Sequence, residues 1–373
     1  MKKILALLTG LSINNIFVTS IVSCTFCSNG SEEANLPNEN IDAKLNEDSQ
    51  DVKVSIDDET KDNETKPFYE YTMLSTGSGL FQFIKKGETA IVYDTGIGGS
   101  PRVWNTKLYN GNIWPTKFLK EKGINKISAI FFSHFHTDHY SNFRSILNNF
   151  QVDNIIFNYE ANEFMKKFGD SISPNTKIYD KLEEFYTFDG IKFHNWSYSA
   201  KDFLDKESHK KQVNRNNLSN VLYFKIGPTD FLFTGDAEKE LGEAIASQKP
   251  DIFKNIDIYQ VPHHGSRNSL SKSFFEKLNP KNCYIPGTYD EENTSWRNFM
   301  GAASHKFPDG NIVDQLKESG CQEISMTGKP YNGLTTSQLE KINNTEVTIT
   351  IYLDKNGQII DKKYSKNTIL NSL

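Results

Sequence analysis

Ser133-His134-Phe135-His136-Thr137-Asp138-His139 places three of the chain's eight histidines and an aspartate within seven residues. The run that leads into it, Lys126–Ser133, is β-branched and aromatic and reads as a strand. The donors therefore fall on a loop, His134–His139, at a strand's C-terminal edge, where α/β proteins build their sites. His134 and His136, two residues apart, can face one metal ion, and Asp138 with His139 can face a second close by, which suits two-metal hydrolysis. A chance cluster on a polar loop is the weaker alternative, because packing gives no reason to gather three imidazoles and a carboxylate.

Upstream, Phe68–Ile84 and Ala90–Tyr93 read as paired strands around Lys85–Glu88, and Asp94-Thr95-Gly96 ends the second. A helix is expected near Thr116–Gly123. Downstream, Tyr140–Asn149 and Glu160–Lys167 read as helices, Asn154–Asn158 as a strand and Thr187–Trp196 as a hairpin. Asn220–Ile226 and Asp230–Thr234 pair around Gly227-Pro228. Helices then alternate with strands: Ala237–Ser247, Ile256–Val261, Ser269–Leu278, Asn282–Pro286 and Ile312–Ser319, before a terminal hairpin, Glu346–Lys363, turning at Lys355-Asn356-Gly357. Strands first, then alternation, predicts a layered α/β domain.

Two further stretches carry chemistry. Thr234-Gly235-Asp236 follows an apolar strand, and a carboxylate there can bridge two cations; alone the motif reads equally as a plain turn. His263-His264-Gly265-Ser266 follows another apolar strand, and a buried histidine pair rarely serves packing alone. In this order, HxHxDH, Asn217-Leu218-Ser219-Asn220, TGD and HHGS, the chain resembles the metallo-β-lactamase superfamily. Within it the chain is similar to the ComEC/Rec2 DNA-uptake proteins and the secreted phosphorylcholine esterases, over about residues 67–335. The resemblance implies a four-layer αββα sandwich with two divalent ions, zinc or manganese, at one edge. It implies His134, His136, Asp138, His139, Asp236 and His264 as ligands and Asp94 as a brace for the ligand loop. Asn217 and Ser219 support the site, and Asp138, His263 and His305 are the candidate catalytic groups. Hydrolysis would proceed by attack of a hydroxide shared by the two ions, with His263 or His305 serving the leaving oxygen.

The chain departs from the superfamily pattern in three places. Where many members carry a further histidine before TGD, this chain has Asn214, Asn216, Asn217 and Ser219, with His194 and His209 outside that position. The first ion is left one imidazole short and has His263 or His305 to borrow. The loop Ser304-His305-Lys306-Phe307-Pro308 is altered in spacing. Tyr140 and Ser141 are bulkier than the usual small pair and are expected to narrow the pocket. Trp104, Tyr109, Trp114, Tyr289 and Trp296 sit in insertions near the site edge, as loop packing, a stacking platform or a choline cage. The substrate class is a phosphodiester, DNA included. A binding protein on a weakened scaffold, a choline-phosphate esterase and a lactonase are the alternatives. No protein partner is legible.

Met1–Lys3 is basic, an apolar run follows to Val22, and Ile21-Val22-Ser23-Cys24 resembles a bacterial lipoprotein box. Residues 1–23 are read as a signal peptide and Cys24 as the lipidated anchor, placing the protein on the outer face of a bacterial membrane; an uncleaved signal anchor is the alternative. Residues 24–66 are read as a disordered acidic tether, since 31–66 hold twelve acids against four lysines. The overall charge is −5, so residues 67–373 are nearly neutral and offer no strong footprint for nucleic acid, the strip Lys206–Arg215 aside. Residues 67–335 form the hydrolase domain and 336–373 a C-terminal extension with the hairpin. Four cysteines are too few for a disulfide scaffold; Cys283 reads as a small buried hydrophobe, with a bridge to Cys321 left open.

Overall fold

The computed structural model describes residues 66–76, 79–97, 114–248, 255–269, 272–287, 310–327, 342–343 and 347–366. The signal segment, Cys24, the tether, His305, Trp104, Tyr109, Tyr289 and Trp296 lie outside the described residues.

Strands β1 (Tyr69–Met73), β2 (Phe81–Lys86) and β3 (Thr89–Thr95) pair antiparallel. The expected first strand is thus two, β1 and β2, separated by Leu74–Leu80. Beside β3, strands β4 (Lys126–Phe131), β5 (Gln151–Val152), β6 (Asn154–Ile156) and β7 (Lys177–Tyr179) continue in parallel. The chain then repeats this plan. Strands β8 (Phe185–Phe188), β9 (Ile191–Asn195), β10 (Leu222–Ile226) and β11 (Thr229–Phe233) form an antiparallel meander. Strands β12 (Ile258–Gln260), β13 (Asn282–Ile285), β14 (Glu323–Met326) and β15 (Ile342–Asn343) add to it in parallel. Strands β16 (Val347–Leu353) and β17 (Ile359–Lys366) form the terminal hairpin, which returns to the first sheet and pairs with β1.

The burial patterns explain the layers. Central β4 is apolar along nearly its whole length because both faces are covered, whereas β8 alternates exposed and buried residues at an edge. The facing sheets enclose Tyr71, Tyr93 and Phe131 from one side and Phe193, Phe224, Phe231 and Phe233 from the other. Outside the first sheet pack α1 (Trp114–Glu121), the single turn α2 (Thr137–Tyr140), α3 (Phe143–Asn149) and α4 (Ala161–Phe168), which bury Leu119, Phe143, Ile146, Phe164 and Phe168. Outside the second lie α5 (Lys201–Ser208), α6 (Lys239–Gln248), α7 (Lys272–Leu278) and α8 (Gly310–Glu318), which bury Leu204, Leu241, Ile245, Phe274 and Leu316. The result is the expected four-layer αββα sandwich.

The hairpin is built into this sandwich. Ile349, Ile351 and Leu353 are fully buried between the sheets. Its turn reaches the opposite sheet, where Thr229 Oγ1 donates to the Gly357 carbonyl (2.7 Å), and Lys362 Nζ meets Asn282 Oδ1 (2.6 Å) and Glu323 Oε2 (3.0 Å). Cys283, at the start of β13, is disulfide-bonded to Cys321, just before β14, across a Cα–Cα distance of 6.4 Å.

Candidate metal centre

The donors collect where the C-terminal ends of β4 and β11 meet across the sandwich. After β4, Ser133 N–H donates to Asp94 Oδ1 (2.8 Å) and its hydroxyl to Asp94 Oδ2 (2.6 Å). His139 Nδ1 lies 2.8 Å from the same Oδ2. That contact fixes the imidazole so that Nε2 faces the cluster, the usual way a carboxylate orients a metal-binding histidine. The stretch expected as a loop closes into α2, with His139 N–H on the His136 carbonyl (3.0 Å) and Ser141 N–H on that of Thr137 (2.9 Å). The expected single helix from Tyr140 is broken at Asn142, whose N–H is taken by the Thr95 carbonyl (2.9 Å). Gly96 is required there, since a Cβ on it would stand 1.5 Å from the Asp138 carbonyl oxygen.

One ligand atom from each of Asp138, His139, Asp236 and His264 can be chosen so that all lie within 4.8 Å of one another. His139 Nε2 stands 3.1 Å from Asp236 Oδ2, and His264 Nε2 3.7 Å from it and 3.6 Å from Asp138 Oδ2. His264 Nδ1 donates to the Pro286 carbonyl (2.8 Å), which leaves Nε2 toward the carboxylates. His134 and His136 make a second group: His134 Nε2 and His136 Nδ1 converge to 2.8 Å, and His134 Nε2 is 4.0 Å from Asp236 Oδ2.

The backbone is spent to achieve this. Among the described residues five non-glycines have positive φ, and three of them, Asp94, His263 and His264, are here. Each left-handed residue costs on the order of 1–3 kcal/mol, and such strain gathers at sites that need it. Gly235, also left-handed, lies so close to Ser133 that a Cβ would come within 2.4 Å of its Cβ.

The residues fit divalent cations. Burial opposes charging His139, yet Asp236, Asp94 and Asp138 carry its pKa well above the ordinary histidine value. Burial likewise opposes Asp236, yet His139, His264 and His263 hold it well below the usual carboxylate range. Burial and the neighbouring imidazoles keep His134 neutral, as a ligand must be. Asp236 Oδ1 is buried with no hydrogen-bond partner among the described residues. Such an atom is costly unless a cation takes it.

The supporting residues are also placed. Ser219 Oγ accepts the Asp236 N–H (3.2 Å), and Asn217 Oδ1 accepts that of Glu238 (3.2 Å). His263 Nε2 is 4.0 Å from Asp236 Oδ2. His194 and His209 stay away: His194 Nε2 lies 3.5 Å from Glu184 on the second sheet, and His209 Nδ1 donates to the Asp205 carbonyl (2.6 Å). Tyr140, expected at the pocket, joins the aromatic cluster outside the first sheet. It is buried against Phe135, Phe164 and Phe168, with Lys167 donating to its hydroxyl (2.8 Å).

Three residues have roles that sequence reasoning did not assign. Gln260, fully buried, accepts the N–H groups of Thr234 (2.7 Å) and Gly235 (2.8 Å) and donates to the carbonyls of Gly235 (3.0 Å) and Val261 (2.7 Å), clamping the turn that carries Asp236. Its signal is a lone amide in the apolar run before the histidine pair. Asn220 donates from its N–H to the Ser133 carbonyl (3.1 Å) and from Nδ2 to that of Phe132 (2.7 Å), tying the two sheets at the site. Glu238, two residues after Asp236, meets His263 Nδ1 at 3.3 Å.

Two curated relatives resemble the chain. ComE operon protein 3 of Bacillus subtilis is 25% identical over 236 residues, 58% of this chain and 28% of that protein. Recombination protein 2 of Haemophilus influenzae is 28% identical over 282 residues, 74% of this chain and 30% of that protein. The chain thus spans less than a third of the length of these relatives. Among solved structures, the metallo-beta-lactamase fold protein YhfI of Bacillus subtilis is 11% identical, with a TM-score of 0.41 over 76% of this chain and 100% of that one. The sequence profile of the metallo-beta-lactamase superfamily matches residues 77–287, more than half of the chain and the span that holds every described donor, and the chain belongs to that superfamily.

Proposed function

We propose that the protein is a two-metal phosphodiesterase acting on nucleic acid or a related phosphodiester, anchored through lipidated Cys24 on the outer face of a bacterial membrane. The observation that carries the reading is the division of the donors into two groups that share Asp236. His134 and His136 would hold one zinc or manganese ion, Asp138, His139 and His264 the other, with Asp236 common to both. Divalent cations there would acidify water toward neutral pH and offset charge developing on phosphorus-bound oxygens.

The chain's own residues do the rest. Asp94 and the Pro286 carbonyl fix His139 and His264 through their Nδ1 atoms. Asp138, only partly buried, is the carboxylate at the mouth that can orient an attacking water. The proton for the leaving oxygen would come from His263 or His305. Nucleic acid is favoured over a choline phosphodiester by the likeness to DNA-uptake proteins and to a protein named for recombination. A binding protein on a weakened scaffold is disfavoured, since no member of HxHxDH is missing.

The test is metal content and bis-p-nitrophenyl phosphate hydrolysis of the protein from residue 24 onward. About two ions per chain are expected, with turnover lost to chelator, restored by Zn²⁺ or Mn²⁺, and lost in a folded Asp138→Ala variant. One ion or none, with no turnover on either metal, would discard the reading. In cells, Cys24→Ser should release the protein from the membrane fraction.

A further inference from the structure

The segment Asn214–Asn217 stands where the resemblance calls for an imidazole, and three of its side chains turn to Glu238 instead. Asn214 Nδ2 donates to Glu238 Oε2 (2.7 Å), Asn216 Nδ2 donates to Oε1 (2.8 Å), and Asn217 Oδ1 accepts the Glu238 N–H. Glu238 is 8% exposed, so the bonds from Asn214 and Asn216 stabilise a buried carboxylate. Its Oε1 lies 3.3 Å from His263 Nδ1, and Asn216 Nδ2 lies beside both ring nitrogens, 3.4 Å from Nδ1 and 3.3 Å from Nε2.

A carboxylate on Nδ1 directs the other ring nitrogen toward a metal. His263 Nε2 stands 4.0 Å from Asp236 Oδ2, and His134 Nε2 stands 4.0 Å from the same atom. The pair Glu238–His263 thereby repeats Asp94–His139, whose contact is 2.8 Å and whose Nε2 is 3.1 Å from that oxygen. Two consecutive left-handed residues let neighbouring side chains diverge, their ring centroids 6.3 Å apart, with His264 committed to Asp138 and His139.

We infer that His263, held by Glu238 on a cradle of asparagines, supplies the missing third imidazole to the ion bound by His134 and His136. This rests on the two-metal reading above and takes His263 out of the proton-transfer role expected from sequence. Glu238 acts as a positioning residue.

The test uses the protein stripped of metal and titrated with Zn²⁺ and with Co²⁺, whose visible bands report the ligands of each ion. Wild type should bind two ions. His263→Ala should keep one unchanged, bind the other at least about tenfold more weakly and lose part of the Co²⁺ spectrum; Glu238→Gln should weaken the same ion by about tenfold. Circular dichroism checks folding, and the near-isosteric Glu238→Gln carries the test if His263→Ala misfolds. Unchanged affinity for both ions in either folded variant overturns the inference, as does loss of both ions together. A wild type that binds one ion overturns instead the two-metal reading itself.

Discussion

Glu160 shows how a single side chain can link the ligand loop to pH. It accepts the Phe135 N–H (2.6 Å), inside the HxH turn, and pairs with Arg215, whose guanidinium lies 5.4 Å from the Phe135 ring centroid. Burial raises its pKa from an ordinary 4.5 to about 7, against the lowering influence of Phe135 N–H and Arg215. The folded state then holds a proton that the unfolded chain releases, so stability falls as pH rises from 4.5 to 7, by at most about 3 kcal/mol. Glu160→Gln should flatten that part of a urea-unfolding profile. Equal slopes in the two proteins would show that Arg215 keeps the carboxylate ionised throughout. At this scale the sequence was informative where donors are neighbours in the chain, as in HxHxDH. Gln260 was illegible because its partners Thr234 and Gly235 lie 26 and 25 residues away, in a turn that is adjacent only once β11 and β12 pair.

Most elements were legible because their periodicity is local. The β8–β9 hairpin reads from its alternation and its Asp189-Gly190 turn, and the apolar core strands from their flanking breakers. The terminal hairpin reads equally well, but nothing local says which sheet edge it will join, and it is set apart as an extension for that reason. In the fold it covers β1 and delivers three residues to the inter-sheet core. Ile351→Ala should therefore lower the unfolding free energy by about 2–5 kcal/mol, as a core truncation does. A loss below about 0.5 kcal/mol in urea denaturation would mark the hairpin as dispensable.

For the whole molecule, the donors divide between the sheets: His134 to His139 follow β4 of the first, while Asp236, His263 and His264 follow β11 and β12 of the second. Ions that bind only the folded arrangement stabilise it by about 2.7 kcal/mol at a free concentration one hundred times Kd. The melting midpoint should rise by several degrees with saturating Zn²⁺ or Mn²⁺ and drop with chelator. A midpoint indifferent to both would mean that no ion distinguishes the folded chain from the unfolded one. No helix among the described residues is long and apolar enough to cross a membrane.

The repeated plan, antiparallel strands followed by parallel ones, has a consequence at the junction between β7 and β8. A chain severed there would yield two fragments, each with a complete run of local strand pairings save the hairpin's return, and each with an incomplete ligand set. Neither fragment would carry the donor set of the intact protein, and Asn220 of one would have to find the Ser133 carbonyl of the other before the donors came into register. Cation occupancy would then read out the mating of two half-sandwiches, making the chemistry a property of their seam.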